Sequence, residues 1–279
     1  MSLLEETKHL LRTARIVPSR LLGQNFMINP IFLEKLATYA NVYDEDVVLD
    51  IGAGFGFLSR VLSGRCRKVI AVEKDHSIAK ILKEQLRGST NVTVTEGDAL
   101  HTPLSVFNKI VSIPPYQMSS KLMLWLFEQR FEVALLILQK EFANRLIAKI
   151  GDDDYGWLSV LAYYHIETEL LDLIPKTSFY PEPQVDSVIL RSRPKSPQPF
   201  TVKSEKFFER AVRSLFTQRN RKTSNAILPL LKGELGIGKT EASGFVEKIH
   251  FLDKRVRQLA PEDFGELANA LYEQRASLQ

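Results

Sequence analysis

Apolar residues in the first two thirds of the chain fall into short runs. Between the runs they recur every three or four positions. "DVVLDIG" (46–52), "KVIAVE" (68–73), "NVTVTEGD" (91–98), "KIVSI" (109–113) and "VALLIL" (133–138) read as buried strands. The intervening segments are amphipathic, as in Ser77 to Leu86, where Ile78, Ile81, Leu82 and Leu86 share a helical face. "TELLDLI" (168–174) and "QVDSVILR" (184–191) read as later strands. Alternating strands and helices predict a mostly parallel α/β sheet with helices on both faces. "SRPKSPQPF" (192–200) lacks periodicity, is rich in Pro and Ser, and reads as a linker. Only helical patterns follow: "EKFFERAVRSLF", "KTSNAILPLLK" and "PEDFGELANALY", the last begun by Pro261 with acidic residues in its first turn. The expected organisation is an α/β domain at 1–193 and a small all-helical domain at 200–279, without internal repeats.

Composition narrows the function classes. The 279 residues are 44% hydrophobic, enough for a full core. The single cysteine, Cys66, permits no internal disulfide and fits a reducing cytosol. The five histidines are scattered, so no metal site is expected. Acidic residues interrupt the apolar positions of "MSLLEETKHLLRTARIVPSR", unlike a signal peptide, and no apolar run reaches the length of a membrane span. The net charge of +4 is uneven: residues 195–279 hold 15 Lys and Arg against 10 Asp and Glu. A basic module on a near-neutral body suits a polyanion such as RNA, although solvated helix faces explain the charge equally well.

The strand ends carry the chemistry. Gly52, Gly54 and Gly56 alternate in a turn after the first strand, spaced G-x-G-x-G and not as in dinucleotide binders. Asp50 precedes them. A carboxylate there repels a pyrophosphate but suits a cationic ligand such as S-adenosylmethionine. Glu73 ends the second strand, where an acid can accept both ribose hydroxyls. Asp98 ends the third, where a carboxylate can receive an adenine amino group. Lys74 and Ala99, next to these two acids, are assigned to the same site. A lone Gly-rich turn is usually structural; three such features at successive strand ends point to a methyl-donor site. "GELGIGKT" (233–240) has a likeness to a phosphate loop, but it sits among helical patterns with no preceding strand and reads as a loop.

"LGQNFMINP", "DIGAGFG", "VEKD", "EGDAL", "PPYQMSS", "LQKEFANRL", "YGWLSV", "SFYPEPQVDSVILR" and "FTQRNRKTSNAIL" together resemble the ribosomal RNA adenine dimethyltransferases of the kasugamycin-resistance type, in their archaeal and eukaryotic form. The resemblance covers about residues 20–230. It implies a Rossmann-like S-adenosylmethionine-dependent methyltransferase sheet with a helical RNA-binding domain. The implied reaction is methylation of N6 on two adjacent adenosines near the 3′ end of small-subunit rRNA, with a role in ribosome assembly. The implied partner is an immature small ribosomal subunit, and the expected state is a cytoplasmic monomer without a membrane partner. Gln24, Asn25 and Phe26 match the motif that closes over the methionine end of the donor.

"VSIPPYQMSS" departs from the family's Asn-x-Pro-Tyr loop. Aligned on Pro115 and Tyr116, the amide position holds Ile113, followed by Pro114. In such loops the amide oxygen accepts one N6 hydrogen, a backbone carbonyl accepts the other, and the tyrosine stacks on the extruded base. Tyr116 keeps the stack, Phe179 matches an aromatic that covers the other face, and Pro114 keeps a carbonyl. Isoleucine accepts nothing, and losing one hydrogen bond of this kind typically costs about a hundred- to a thousandfold in rate. Ser112 would replace the amide only if the loop slipped by one residue. Gln117 lies where the family commonly has an amide. In "QRNRK", Arg219, Arg221 and Lys222 are expected on RNA phosphates, with Lys254, Arg255 and Arg257 extending the surface. Three readings stand: a dimethyltransferase, a catalytically impaired RNA-binding assembly factor with the same fold, and an amino-methyltransferase acting on DNA or a small molecule.

Overall fold

The computed structural model describes residues 1–19, 23–235 and 251–278. The described chain forms two compact units: Met1–Ala143 with Thr168–Pro194, and Asn144–Glu167 with Lys195–Gln279. The last boundary, between Pro194 and Lys195, falls inside the expected linker. The segment 144–167, expected in the first domain, packs with the C-terminal helices, because its aromatic and apolar residues face them and not the sheet. Tyr155 is 2% exposed, its hydroxyl donates to the Leu259 carbonyl at 2.8 Å, and its ring meets Phe216 edge-on.

In the first unit, α1 (Leu3–Thr13) is followed by β1 (Phe26–Met27), α2 (Pro30–Tyr39), β2 (Val47–Ile51), α3 (Phe57–Ser63), β3 (Lys68–Glu73) and α4 (His76–Gln85). Next come β4 (Val92–Glu96), β5 (Lys109–Ser112), α5 (Ser119–Phe127), β6 (Val133–Gln139) and α6 (Lys140–Ile147), which crosses into the second unit. After α7 (Trp157–His165), the chain continues through β7 (Ile166–Ile174), β8 (Phe179–Tyr180) and β9 (Ser187–Pro194). The main sheet has the order β4-β3-β2-β5-β6-β9-β7, parallel from β4 to β6, with β9 antiparallel to β6. All five residues of β2 are buried, as a strand covered on both faces requires. The strand order reverses between β2 and β5, and an open α/β sheet has its ligand crevice at that point.

Local chemistry fixes the ends of these elements. Asp75 caps α4, accepting from the backbone of Ser77 and Ile78. Gly56 starts α3 at φ +83°, and a Cβ there would stand 2.8 Å from Leu82 of α4. At the far end of the sheet, Lys109 pairs with Asp46 at 2.8 Å, both nearly buried, while Asn108 donates to the other Asp46 oxygen. A buried pair whose two carboxylate oxygens are both hydrogen-bonded pins the start of β5.

Two expectations shift. β9 runs to Pro194, so the linker begins at Lys195, and β9 starts three residues later than the apolar run because Asp186 is held outside the sheet by the Lys176 backbone at 2.9 Å. α1 was not legible as a helix; a capping box from Ser2 to Glu5 starts it.

In the second unit, α8 (Glu205–Phe216) buries Phe207, Phe208, Ala211, Val212 and Leu215. It is joined by the short α9 (Thr223–Ala226), α10 (Leu228–Leu235) and α11 (Pro261–Leu278). "GELGIGKT" does have the phosphate-loop spacing letter for letter. Its start, Gly233 to Leu235, closes a helix instead of following a strand, and 236–240 lie outside the described residues.

Candidate active site

A cleft of about 420 Å³ opens over the carboxyl ends of β2, β3, β4 and β5. Gly52 and Gly54 lie on one side, followed by Glu73, Lys74 and Asp75, then Asp98 and Ala99. Ile113, Pro114, Pro115 and Tyr116 face them, and Gln24, Asn25 and Phe26 close the remaining side. Residues spread over a hundred positions thus meet in one concavity.

The glycine turn is shaped by absence. Gly52 has φ +71°, and an added Cβ would lie 2.7 Å from Pro115 Cδ. The substrate loop therefore rests directly on the turn. Glu73 threads beside it: one carboxylate oxygen accepts from Gly54 N at 3.0 Å, the other from Asp75 N at 2.9 Å. Burial pushes the Glu73 carboxyl up, and the backbone N–H groups of Asp75, Gly54 and Lys74 offset only part of that. With these three N–H groups on its roughly four lone-pair sites, the carboxylate keeps acceptor capacity for one incoming hydroxyl.

Asp98 accepts from Leu100 N at 3.1 Å and from Lys74 Nζ at 3.0 Å. Burial raises its carboxyl, but Lys74, the Leu100 N–H and His101 together hold it below the ordinary range. Gln24 bridges the entry: its Oε1 accepts from Ser19 N at 2.7 Å and its Nε2 donates to Asp75 Oδ2 at 3.2 Å. Phe26 stacks on Phe55 with centroids 4.3 Å apart. The side chain of Gln117 fills the space a Cβ of Gly23 would take, which joins the N-terminal loop to the substrate loop.

Three assigned residues lie elsewhere. Asp50 is 1% exposed and sits beneath the cleft beside a small cavity, donated to by the Ser59 hydroxyl at 2.6 Å. Burial pushes its carboxyl up to about 7, although the Ser59 hydrogen bond pulls it down. Gly56 serves the α3–α4 packing. Phe179, 1% exposed, does not line the cleft; its ring meets the Tyr116 ring at 72° and 6.3 Å. It braces the tyrosine instead of offering a second face to a base, because its place in β8 opposite Met27 turns it inward.

The loop settles the question of slippage. Ser112 is buried at the end of β5; its hydroxyl donates to the Ile51 carbonyl at 2.6 Å and accepts from Ile51 N at 3.2 Å. It is committed to β2 and does not take the place of an amide. Ile113 lines the cleft and packs on the core. The Tyr116 hydroxyl shares a 2.6 Å hydrogen bond with Ser187, and burial pushes the phenol up to about 12 despite it. Residues the sequence reading missed include Asp75, His101 and Lys121 on the cleft wall and Ser187 behind the tyrosine. Asp75 carried a signal as a helix-capping acid; the others carried none.

In the second unit, the basic stretches are brought together by backbone pairing. Val256 N donates to the Arg221 carbonyl at 3.1 Å and Arg257 N to the Arg219 carbonyl at 3.0 Å. Lys254, Arg255 and Arg257 thereby adjoin Arg219, Arg221 and Lys222. Arg219 also donates to the Asp153 carbonyl, and Lys222 pairs with Asp253 at 2.9 Å. Among the described residues there is no group of acids, histidines and cysteine suited to a metal, and no helix is long and apolar enough to cross a membrane.

The ribosomal RNA adenine dimethylase family profile matches residues 19–269. The chain belongs to that family. It is 40% identical over 257 residues to the probable ribosomal RNA small subunit methyltransferase A of Thermococcus kodakarensis, covering 91% of this chain and 90% of that protein. The corresponding protein of Methanothermobacter thermautotrophicus is 36% identical, with 94% of each chain covered. Among solved structures, a dimethyladenosine transferase from Plasmodium falciparum superposes with a TM-score of 0.77 at 26% identity, covering 89% of this chain and 98% of that one. The 23S rRNA methyltransferase ErmE gives 0.62 at 26% identity, covering 90% and 100%. The fold is thus the Rossmann-like methyltransferase fold of these structures, with a helical C-terminal region.

Proposed function

We propose that this chain is an S-adenosylmethionine-dependent methyltransferase that modifies N6 of adjacent adenosines near the 3′ end of small-subunit rRNA, in ribosome biogenesis. The observation that carries the reading is the single cleft shared by the glycine turn, Glu73, Asp98 and the Tyr116 loop. Membership of the dimethylase family supports the same assignment. The partner in this reading is an immature small subunit met by a cytoplasmic monomer.

The residues suit the donor. Gly52 and Gly54 leave the backbone bare toward the cleft, Glu73 offers its remaining acceptor capacity to a ribose hydroxyl, and Asp98 is held ionised to receive an adenine amino group. Gln24, Asn25 and Phe26 cover the methionine end, and Lys74 and Ala99 complete the wall. Asp50 lies below the cleft and, in its ionised form, places negative potential under a cationic ligand. When bound, S-adenosylmethionine supplies an electrophilic methyl group.

The chain's own residues hold the acceptor. Tyr116, fixed by Ser187 and Phe179, stacks on the base. The Pro114 carbonyl accepts no hydrogen bond among the described residues and takes one N6 hydrogen. Together these orient the nitrogen lone pair toward the methyl group. The loop Ile113–Met118 has no carboxylate or imidazole, so the proton released from the methylated nitrogen passes to water. Arg219, Arg221 and Lys222 engage RNA phosphates.

One observation favours a second reading, a catalytically impaired assembly factor. Ile113 accepts nothing, and Ser112 is fully buried and held by Ile51. An intact donor cleft argues for retained, slowed chemistry. Incubating unmethylated small subunits with methyl-labelled donor tests this: label in the RNA supports the enzyme, and bound subunits without label support the assembly factor.

A further inference from the structure

The helical unit carries a groove that the proposed reaction leaves unused. Trp157, which begins α7, lines it together with Arg210, Arg213, Ser214 and Phe216 of α8 and Thr217 beyond, around about 580 Å³. The Arg213 guanidinium stands 5.5 Å from the centre of the Trp157 ring, and Glu209 holds it from one turn away at 3.1 Å. The Arg210 guanidinium lies 5.7 Å over Phe207. Both arginines are exposed and Trp157 is half-buried. The Trp157 indole N–H makes no hydrogen bond among the described residues.

This combination selects its ligand. The exposed Arg213 guanidinium calls for an anion, and its exposed pair with Glu209 contributes too little to keep it from one. A half-covered indole calls for a flat partner, and its N–H for an acceptor. A nucleotide has all three: a base with a π face, a phosphate, and sugar oxygens. An acidic peptide would satisfy only Arg213. α8 leads directly into Arg219, Arg221 and Lys222, so the groove continues a basic path along the chain.

We propose that this groove binds a nucleotide of single-stranded RNA, with its base against Trp157 and its phosphate on Arg213. The proposal rests on RNA being the substrate and adds a contact outside the cleft.

The chain has two tryptophans, so Trp125→Phe leaves Trp157 as the single indole. A short single-stranded oligoribonucleotide of mixed sequence, titrated into this full-length variant, quenches Trp157 fluorescence saturably. Trp157→Ala weakens binding by about five- to a hundredfold, and Trp157→Phe, which retains a ring, loses less. Arg213→Gln lowers the slope of log affinity against log salt by about 0.7. Binding without quenching, or equal affinity of the parent and Trp157→Ala, overturns the groove while leaving the proposed reaction standing. An acidic peptide that competes as well as RNA also overturns it. Absence of oligoribonucleotide binding by the parent overturns the groove, while the proposed function stands or falls separately on label transfer to small subunits.

Discussion

Gly52 and Pro115 are in contact through a missing side chain: a Cβ on Gly52 would stand 2.7 Å from Pro115 Cδ. The donor turn and the substrate loop are therefore one object, and a change in either moves both. Gly52→Ala must also hold alanine at φ +71°. That conformation costs roughly 1–2 kcal/mol. The variant is expected to melt earlier, and to bind S-adenosylhomocysteine about tenfold more weakly if displacing Pro115 costs about 1.4 kcal/mol. Thermal melts and calorimetric titration measure the two effects.

Ile113→Asn restores a side-chain acceptor where Ser112 is unable to act. Turnover on small subunits is expected to rise by about a hundred- to a thousandfold, the typical worth of one transition-state hydrogen bond. Donor affinity is expected to stay level, since the change faces the base. Single-turnover rates with saturating donor read the effect; an unchanged rate means Ile113 does not limit the chemistry.

Asp50 titrates at about 7 in the fold, against roughly 3.9 in an unfolded chain. The folded state thus binds the proton more tightly between these values, and its stability falls as pH rises through them. Above about 7 the penalty is complete, on the order of 4 kcal/mol for a shift of this size. Asp50→Asn keeps an acceptor for Ser59 and removes the charge. Its urea midpoint is expected to fall less than the parent's between about pH 5 and 8. Parallel profiles would mean that Asp50 stays ionised in the fold.

Arg221 is exposed and follows α8, beside the paired basic stretches. Arg221→Ala is expected to weaken RNA binding uniformly across sequences and to flatten its salt dependence by about 0.7–0.9 in log–log slope. Filter binding at several salt concentrations reports it. A change in sequence preference would instead place Arg221 on a base.

The central strands were legible because they are apolar runs of strand length bounded by turn residues, and Glu73 because it closes such a run. β4, expected as a buried strand through Asp98, is an alternating edge strand that ends at Glu96 and buries none of its residues. What escaped depends on contacts between distant segments. Nothing local says that Phe179 turns inward against Tyr116, that Ser187 reaches the tyrosine hydroxyl, or that Ser112 is taken by Ile51. Asp50 looked like a ligand contact because a strand-end acid beside glycines faces a crevice; the pleat points it down to Ser59 instead. The helix 157–165 was missed because it is apolar on nearly every side, so no period stood out, and its packing drew 144–167 into the helical unit.

The central claim is that the cleft still methylates adenosine despite Ile113. Mass spectrometry of the 3′-end hairpin adenosines tests it most directly, after unmethylated small subunits are incubated with the protein and S-adenosylmethionine. The account predicts methylated adenosine, formed slowly and faster with Ile113→Asn. Unmodified adenosine from subunits that demonstrably bind the protein would contradict it.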